Sequence, residues 1–300
     1  MKILDLRSLL ACGVAATALM GATTAFAQEA INLQEVVVES EGQGTIAEDA
    51  AAVGPVNGVV ARRTLTGTKT ATDIAEIPQA VSVIGREEID DQGVQKADEA
   101  LRYTAGVFTQ PFGADSDTNW MFIRGFQATA TGVYLDGLQL FSQGFGGFYV
   151  DSFGLERIEV LKGPASVLYG GSNPGGIVNY VSKRPSFERE RYVETGVNDA
   201  GNAYLGFDIG DVTDSQVASW RAVGRIAGGD THTDYQDGWR GFISPSITWQ
   251  PDEETRLTIL ANYSHIDENH GGGSFLPYFG TVKDYVVGGV NYGRIDPDFN

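Results

Sequence analysis

Asp115, Asp117 and Asn119 have the alternating spacing of the ligands in a calcium-binding loop. Carboxylate and amide oxygens at such positions are the ligands that Ca²⁺ prefers. However, Trp120 stands where the loop needs a glycine for its sharp turn, and Phe126 stands where a bidentate glutamate would close the site. We therefore expect no calcium site here.

His265 and His270 flank two acidic residues in SHIDENHGGG, which we interpret as a polar loop and not as a metal site. The Gly-rich stretch GPASVLYGGSNPGG lacks the Lys-Ser/Thr of a phosphate-binding loop and is expected to supply tight turns. No Ser/His/Asp, Cys/His or paired-carboxylate spacing indicates catalysis. We predict that the protein is not an enzyme and holds no cofactor; the alternative is an enzyme whose triad is distant in sequence.

The segment LQEVVVES at 33–40 indicates a binding role of another kind, because it has the composition of a β-strand. Three successive valines favour a β-strand, because β-branched side chains suit the pleated backbone. The segment EGQGTIAEDAAAVGPVNG follows, and its composition is that of a flexible linker. A strand on a tether can pair with an exposed sheet edge of another protein. The alternative is a strand buried in the domain that follows, which the flanking linker disfavours.

The first 27 residues predict secretion. An apolar run at 9–20 follows two basic residues, and AFA at 25–27 is a small-x-small cleavage site, so we interpret 1–27 as a signal peptide. The single cysteine, Cys12, lies inside it. Because the apolar run continues past Cys12, a lipoprotein acylation site is not favoured, and no disulfide is expected in the mature chain.

Charge and hydropathy narrow the choice of partners. The formal net charge is −18, and it becomes −19 without the two basic residues and one acidic residue of 1–27. Such acidity argues against nucleic acid as a partner. No later stretch offers the roughly 18 apolar residues of a membrane helix. If the chain enters a membrane, it does so as strands.

From residue 190 the sequence alternates between apolar and polar residues. The segments AYLGFDIG, WRAVGRIA, GFISPSITW and RLTILANYS are each near the ~9–11 residues that cross a bilayer as a tilted strand. Short turns alternate with long loops, and Trp220 and Trp249 stand beside the short turns, as in an interfacial aromatic girdle. The pattern predicts the start of an antiparallel transmembrane β-barrel; the alternative is a soluble β-sandwich.

The sequence of residues 62–188 has both strand and helix patterns and predicts an α+β globule. PQAVSVIG predicts a strand, the pattern over 94–103 predicts a short amphipathic helix after a break at 90–93, and Gly-punctuated apolar runs follow. Loops rich in Gly, Ser and aromatic residues are expected at 108–120, 127–132 and 139–150.

Long motifs give these parts a family resemblance. TGTKTATDIAEIPQAVSVI, ALRYTAGV, FIRGF, VYLDGL, LERIEVLKGPASVLYGGSNPGGIVNYVSKRP and FLPYFGTV resemble the TonB-dependent siderophore receptors, especially the ferrichrome type, over residues 31 to 300. The family fold is a 22-stranded barrel filled by an N-terminal plug. The resemblance implies a signal peptide at 1–27, a TonB box, linker and switch segment at 28–61, a plug at 62–188 and an incomplete barrel at 189–300. We expect the chain to be the N-terminal part of a longer protein.

The resemblance also implies partners and a location. The strand near the mature N-terminus is similar to the TonB box, which pairs with the periplasmic energy transducer TonB, and VGPVNGVVARR is similar to the family's switch segment. The expected location is the outer membrane of a Gram-negative bacterium, in contact with its lipid. The box residues are Ile31, Leu33, Glu35, Val36, Val37 and Val38.

By position in the family, outward-facing loops would bind a ferric siderophore, expected to be of the hydroxamate type, for import to the periplasm. Arg124 and Lys162 match positions that lock the plug to barrel glutamates. Phe112 departs from the family, which places a siderophore-contacting arginine there. A receptor for haem, cobalamin or an oligosaccharide and a passive porin are the alternatives. The candidate contacts are Phe112, Gln127, Thr129, Gly144, Phe145 and Phe275.

Overall fold

The computed structural model of this chain describes residues 52–56, 58–113, 118–144, 146–230, 237–269, 278–281 and 283–293. The predicted signal peptide, the candidate box at 31–38, Phe145 and Phe275 lie outside these ranges.

The globule is built around a five-stranded sheet with the order β3-β9-β10-β7-β8. Strand β10 pairs antiparallel with β9 and parallel with β7. Strands β1 and β2 form a separate hairpin, and β4, β5 and β6 form a small meander. The strands are β1 (Arg63–Thr64), β2 (Thr72–Asp73), β3 (Ala80–Gly85), β4 (Val107–Thr109), β5 (Met121–Ile123), β6 (Phe126–Gln127), β7 (Val133–Leu135), β8 (Leu138–Gln139), β9 (Leu155–Lys162) and β10 (Gly176–Ser182).

Strands β9 and β10, the two central strands of this sheet, are buried on both faces. Ile158 and Val160 of β9 join one buried apolar cluster, whereas Leu161 joins a second. Because side chains alternate across a strand, Arg157 and Glu159 also leave by the second face. GIVNYVS is mostly apolar, as is typical of a strand buried on both faces. LERIEVLK is buried to the same extent although half of its residues are charged.

The helices differ from the one that the sequence predicts. An α-helix that was not predicted, α1 (Arg86–Gln92), extends into the break expected at 90–93, and the predicted helix over 94–103 is a shorter 3₁₀-helix at Ala97–Leu101. Acidic residues in its first turn favour α1, and Gly93 ends it with a φ of 63°. A second short helix, α2 (Ser166–Tyr169), and 3₁₀ turns at Ile74–Glu76 and Ser152–Gly154 complete the globule.

No helix among the described residues is both long enough and apolar enough to cross a membrane.

Two hairpins of the globule have two-residue turns, which connect β5 to β6 and β7 to β8. Arg124 and Gly125 have φ values of 51° and 83°, and Asp136 and Gly137 have 51° and 80°. Two central residues with positive φ are typical of a type I′ turn, whose twist matches that of the strands. The first turn presents Arg124 at its tip, and the second places the Asp136 carboxylate against Ser182.

A six-stranded antiparallel sheet, hereafter the wall sheet, follows the globule. Its order is β11-β12-β13-β14, and β14 pairs with both β15 and β16. A hairpin of β17 (Val286–Val287) and β18 (Val290–Asn291) and a turn at Tyr278–Thr281 lie beyond it. The wall strands are β11 (Glu190–Val197), β12 (Ala203–Val212), β13 (Ala218–Asp230), β14 (Asp237–Trp249), β15 (Leu257–Leu260) and β16 (Tyr263–Asn269).

One strand assignment differs from the sequence prediction. RLTILANYS, predicted as one strand, is divided between β15 and β16, opposite Pro245 of β14. Pro245 accepts from Ala261 but has no N–H to return, so the ladder is interrupted there. Strand β11, at the edge of the described sheet, is exposed along most of its length and therefore lacks a clear alternation of burial.

The two faces of the wall sheet are chemically opposite. Leu205, Ile226 and Ile247 are exposed on the face that points away from the globule, at 51%, 52% and 45% of their accessible surface. Arg221 and Arg225 are buried on the other face. Polar side chains therefore lie between the wall sheet and the globule, and apolar ones cover the free face, where the two predicted girdle tryptophans are also exposed.

Candidate functional site: the globule loops and the wall contacts

The three loops at 108–120, 127–132 and 139–150 are tied together by hydrogen bonds. The Ser142 hydroxyl donates to the Thr129 carbonyl at 3.0 Å. The Asn119 amide donates to the Phe148 carbonyl at 2.8 Å, and so joins the first loop to the third. The loops that the sequence predicts as separate ligand-binding segments thus form one connected surface.

An aromatic pair stands at the base of the first loop. The rings of Phe112 and Trp120 pack edge to face with centroids 5.3 Å apart. Thr129 is buried beside β5, where its hydroxyl accepts from the Met121 amide at 3.2 Å. Phe112 is half-buried and offers part of a ring, whereas the Thr129 hydroxyl is committed to a contact within the globule.

Two other predicted siderophore contacts, Gln127 and Gly144, lie on the surface of the globule. Gln127 is exposed, and its carbonyl accepts a hydrogen bond from Asn173. Gly144 is exposed and has a φ of 63°, in the region that favours glycine. The structure therefore brings Phe112, Gln127 and Gly144 to the surface of the globule.

The two predicted lock residues lie close together. The Arg124 guanidinium lies beside Gly163, which directly follows Lys162. Partial burial, and then the charge of Arg124, lower the pKa of Lys162, whose ammonium donates to the Ser82 hydroxyl at 2.8 Å. Neither side chain forms an ion pair with a carboxylate in the part of the chain that the structure describes.

A buried ion pair joins the globule to β13. Arg225 lies 2.5 Å from Oδ1 of Asp151 through Nη2, and Nε donates to Oδ2 at 3.0 Å. The same guanidinium donates to the Gln95 carbonyl at 3.0 Å and lies above the ring of Phe153. Two parallel bonds of this kind fix the relative orientation of the two groups as well as their distance.

A second network joins the end of β10 to β12 and β13. Asp208 accepts from the Arg221 guanidinium through both oxygens at 2.7 Å, and the Lys183 ammonium lies 2.9 Å away. Arg221 also lies 3.8 Å from Glu156 of β9. Burial raises the pKa of Glu156, while the charge of Arg221 acts in the opposite direction.

A third contact involves β14 and β16. Arg240 lies 2.8 Å from Glu268 and also donates to the Gln95 side chain of the globule. Its guanidinium stacks 5.2 Å from the centre of the Tyr149 ring. Within the described ranges, no cluster of three or more His, Cys, Asp or Glu side chains could hold a metal ion.

Sequence reasoning missed these wall contacts. Arg221 and Arg225 share the face of β13 opposite Trp220, and Asp208 is the charged residue on the matching face of β12. Charged residues on the inward face of a predicted membrane strand were the available signal, because they need a polar partner inside. Their partners in the globule could not be identified without the docking of the two sheets.

Comparison with known proteins shows which domain family the globule matches. The family model described as the TonB-dependent receptor plug domain matches residues 73–177. The chain is 35% identical over 290 residues to the ferrichrome outer membrane transporter/phage receptor of Escherichia coli strain K12, a match that covers 96% of this chain and 38% of that protein. It is 38% identical over 231 residues to the ferrioxamine receptor of Yersinia enterocolitica, covering 76% of this chain and 32% of the relative.

Solved structures show the same arrangement. The ferripyoverdine receptor of the Pseudomonas aeruginosa outer membrane, solved with ferripyoverdine bound, superposes with a TM-score of 0.65 at 25% identity. The match covers 78% of this chain and 30% of that receptor. The chain thus spans less than two fifths of the curated relatives described above.

Proposed function

This chain belongs to the TonB-dependent siderophore receptors, and we propose that the whole protein binds a ferric siderophore outside the cell and imports it across the outer membrane. One structural observation carries the proposal. A folded plug is joined by buried ion pairs to the polar face of a sheet whose other face is apolar. A wall in lipid with a plug inside it needs this distribution, because unpaired charge is costly in hydrocarbon.

We propose a hydroxamate-type siderophore as the cargo. Support comes from the similarity to receptors named for ferrichrome and ferrioxamine. The surface formed by Phe112, Gln127 and Gly144 would contribute one side of the binding site, with Phe145 and Phe275 as further candidates. Aromatic rings offer a large contact area at small entropic cost, which suits a bulky chelate of low charge. The iron arrives wrapped by its chelator, so the protein needs no ligands for it.

We further propose that TonB drives the transport. The segment from Ile31 to Val38 would add a strand to a sheet of TonB through main-chain hydrogen bonds. Arg124 and Lys162 would lock the plug by pairing with carboxylates of the wall. Their mutual proximity supports this role, since two adjacent cations are stabilised by a shared anionic partner.

Uptake of radioactive iron tests the function. A strain that lacks the receptor is complemented with the full-length gene and supplied with hydroxamate, catecholate and carboxylate siderophores in turn. We expect uptake with the hydroxamates. Uptake restricted to another class would change the cargo, and an absence of uptake with every chelate would overturn the proposal.

A further inference from the structure

The segment at 52–66, which precedes the plug sheet, is held by one buried guanidinium. Arg157 of β9 is 2% exposed. It donates to the Gly54 carbonyl through Nε at 2.9 Å and Nη2 at 2.5 Å, and to the Arg63 carbonyl through Nη1 at 3.2 Å. A single side chain thus binds two separate points of the segment.

Two further buried side chains hold the end of the segment. Glu159 lies on the same face of β9 and accepts from the hydroxyls of Thr64, at 2.5 Å, and Thr66. Asn179, which is opposite Glu159 in the β9–β10 ladder, donates to the Thr66 hydroxyl at 2.9 Å. Each threonine hydroxyl is therefore engaged by a polar residue of the two central strands.

The apolar packing of this contact lies outside the two apolar clusters of the plug. Ala52 and Val53 are buried, but no residue of the segment belongs to either apolar cluster of the plug. A cavity of about 190 Å³ lies beside it, lined in part by Val53, Thr66 and Glu159. The segment is thus held by hydrogen bonds together with local apolar contacts, and its removal would leave the two apolar clusters intact.

The same residues limit the cost of detachment. Arg157 and Glu159 lie 3.5 Å apart and form an ion pair with each other. If the segment leaves, each charge keeps a partner, and the exposed face gains water. A buried charge without a partner would be far more costly. The contact can therefore open without unfolding the sheet beneath it.

We propose that Arg157, Glu159 and Asn179 form a latch that controls how readily residues 52–66 detach from the plug. The latch itself follows from the contacts described above. Its use in transport rests on the proposed function: detachment would lengthen the tether of the 31–38 strand and so extend its reach towards TonB.

Cysteine labelling tests the latch in the full-length receptor. Val53, which is 8% exposed, is replaced by cysteine in a background otherwise free of cysteine, and the rate of maleimide labelling is measured in outer-membrane vesicles. We expect Arg157→Gln to increase the rate at least tenfold, which corresponds to about 1.4 kcal/mol. The matched control is Arg86→Gln, because Arg86 donates to the carbonyls of Ser152 and Leu155, away from the segment, and this variant should leave the rate unchanged.

A second variant covers the case in which Arg157→Gln does not assemble. Thr66→Val keeps the shape of the side chain but removes its bonds to Glu159 and Asn179, and should increase labelling several-fold. Unchanged labelling in the assembled variants, or an equal increase in Arg86→Gln, would overturn the latch. The assay uses neither siderophore nor TonB, so its result is independent of whether the proposed transport is correct.

Discussion

The guanidinium of Arg225, in the wall sheet, lies 2.5 Å from the carboxylate of Asp151, in the plug, and both side chains are at least nine-tenths buried. Removing one partner of such a pair leaves an uncompensated buried charge, which typically costs about 3–5 kcal/mol. We expect Arg225→Met to destabilise the receptor by about this amount, and adding Asp151→Asn should recover part of the loss. Urea unfolding in detergent measures both.

The control for this pair is Arg189→Gln. Arg189 pairs with Asp211, but it is 68% exposed, and water replaces such a contact readily. Its unfolding midpoint should match that of the wild type. A similar loss in both single variants would show that burial does not distinguish the two pairs.

The backbone at the start of β10 requires a glycine at position 176. Its φ is 135°, and a Cβ at this position would collide with the carbonyl oxygen of Leu161 in β9. Backbone strain alone costs of order 1–3 kcal/mol in such regions, and the collision adds to it. We expect Gly176→Ala to lower the thermal midpoint of the plug strongly or to prevent assembly.

Gly171, in the same Gly-rich stretch, provides the comparison for Gly176. A Cβ there would meet no heavy atom of the described residues within 4 Å, and its φ is not positive. Gly171→Ala should assemble normally, with a midpoint equal to or slightly above that of the wild type. Equal damage from both substitutions would contradict this explanation.

Asp98 should make the stability of the plug depend on pH. It is fully buried, 3.3 Å from the Lys96 ammonium, and burial raises its pKa to about 6 although Lys96 acts in the opposite direction. Between about pH 4 and pH 6 the folded state holds a proton that the unfolded state has released. Stability therefore falls as pH rises through this window and is level above it.

Asp98→Asn removes that dependence. The variant leaves Lys96 without its carboxylate, a loss that is roughly constant with pH, so the informative quantity is the change with pH in the stability difference between variant and wild type. Between about pH 4 and pH 6 this difference should shift in favour of the variant by up to ~3 kcal/mol. Denaturation midpoints in detergent across this range measure it. A pH-independent difference would show that Asp98 does not titrate there.

Deletion of Val36, Val37 and Val38 tests the proposed energy coupling. The deletion removes the residues that would pair with TonB but leaves the plug and wall untouched. We expect siderophore binding to cells to be retained and iron uptake to be lost. Replacing the three valines by threonines, which keep β propensity, should preserve much of the uptake. Loss of binding together with uptake would count against this role.

Local patterns in the sequence predicted much of the architecture. The alternation in AYLGFDIG and WRAVGRIA predicted strands with one apolar face, and the structure has them in β12 and β13. Such predictions succeed because the side-chain period of a strand is a property of neighbouring residues. The division at Pro245 and the helix α1 were missed, since they depend on ladder partners and helix ends more than on periodicity.

The ion pairs and the latch could be identified only from the tertiary structure, because their partners are far apart in the sequence. Asp151 and Arg225 are separated by 74 residues, and Arg157 and Gly54 by 103. The neighbours of each residue in the sequence do not indicate its partner, because a charge alone does not show which distant group will pair with it. The sequence by itself determined the strands, the turns and the family motifs, because these are recorded in contiguous residues. Only the docking of the wall sheet and of the segment at 52–66 on the plug decided which polar groups meet, because burial away from water is what requires each to find a partner.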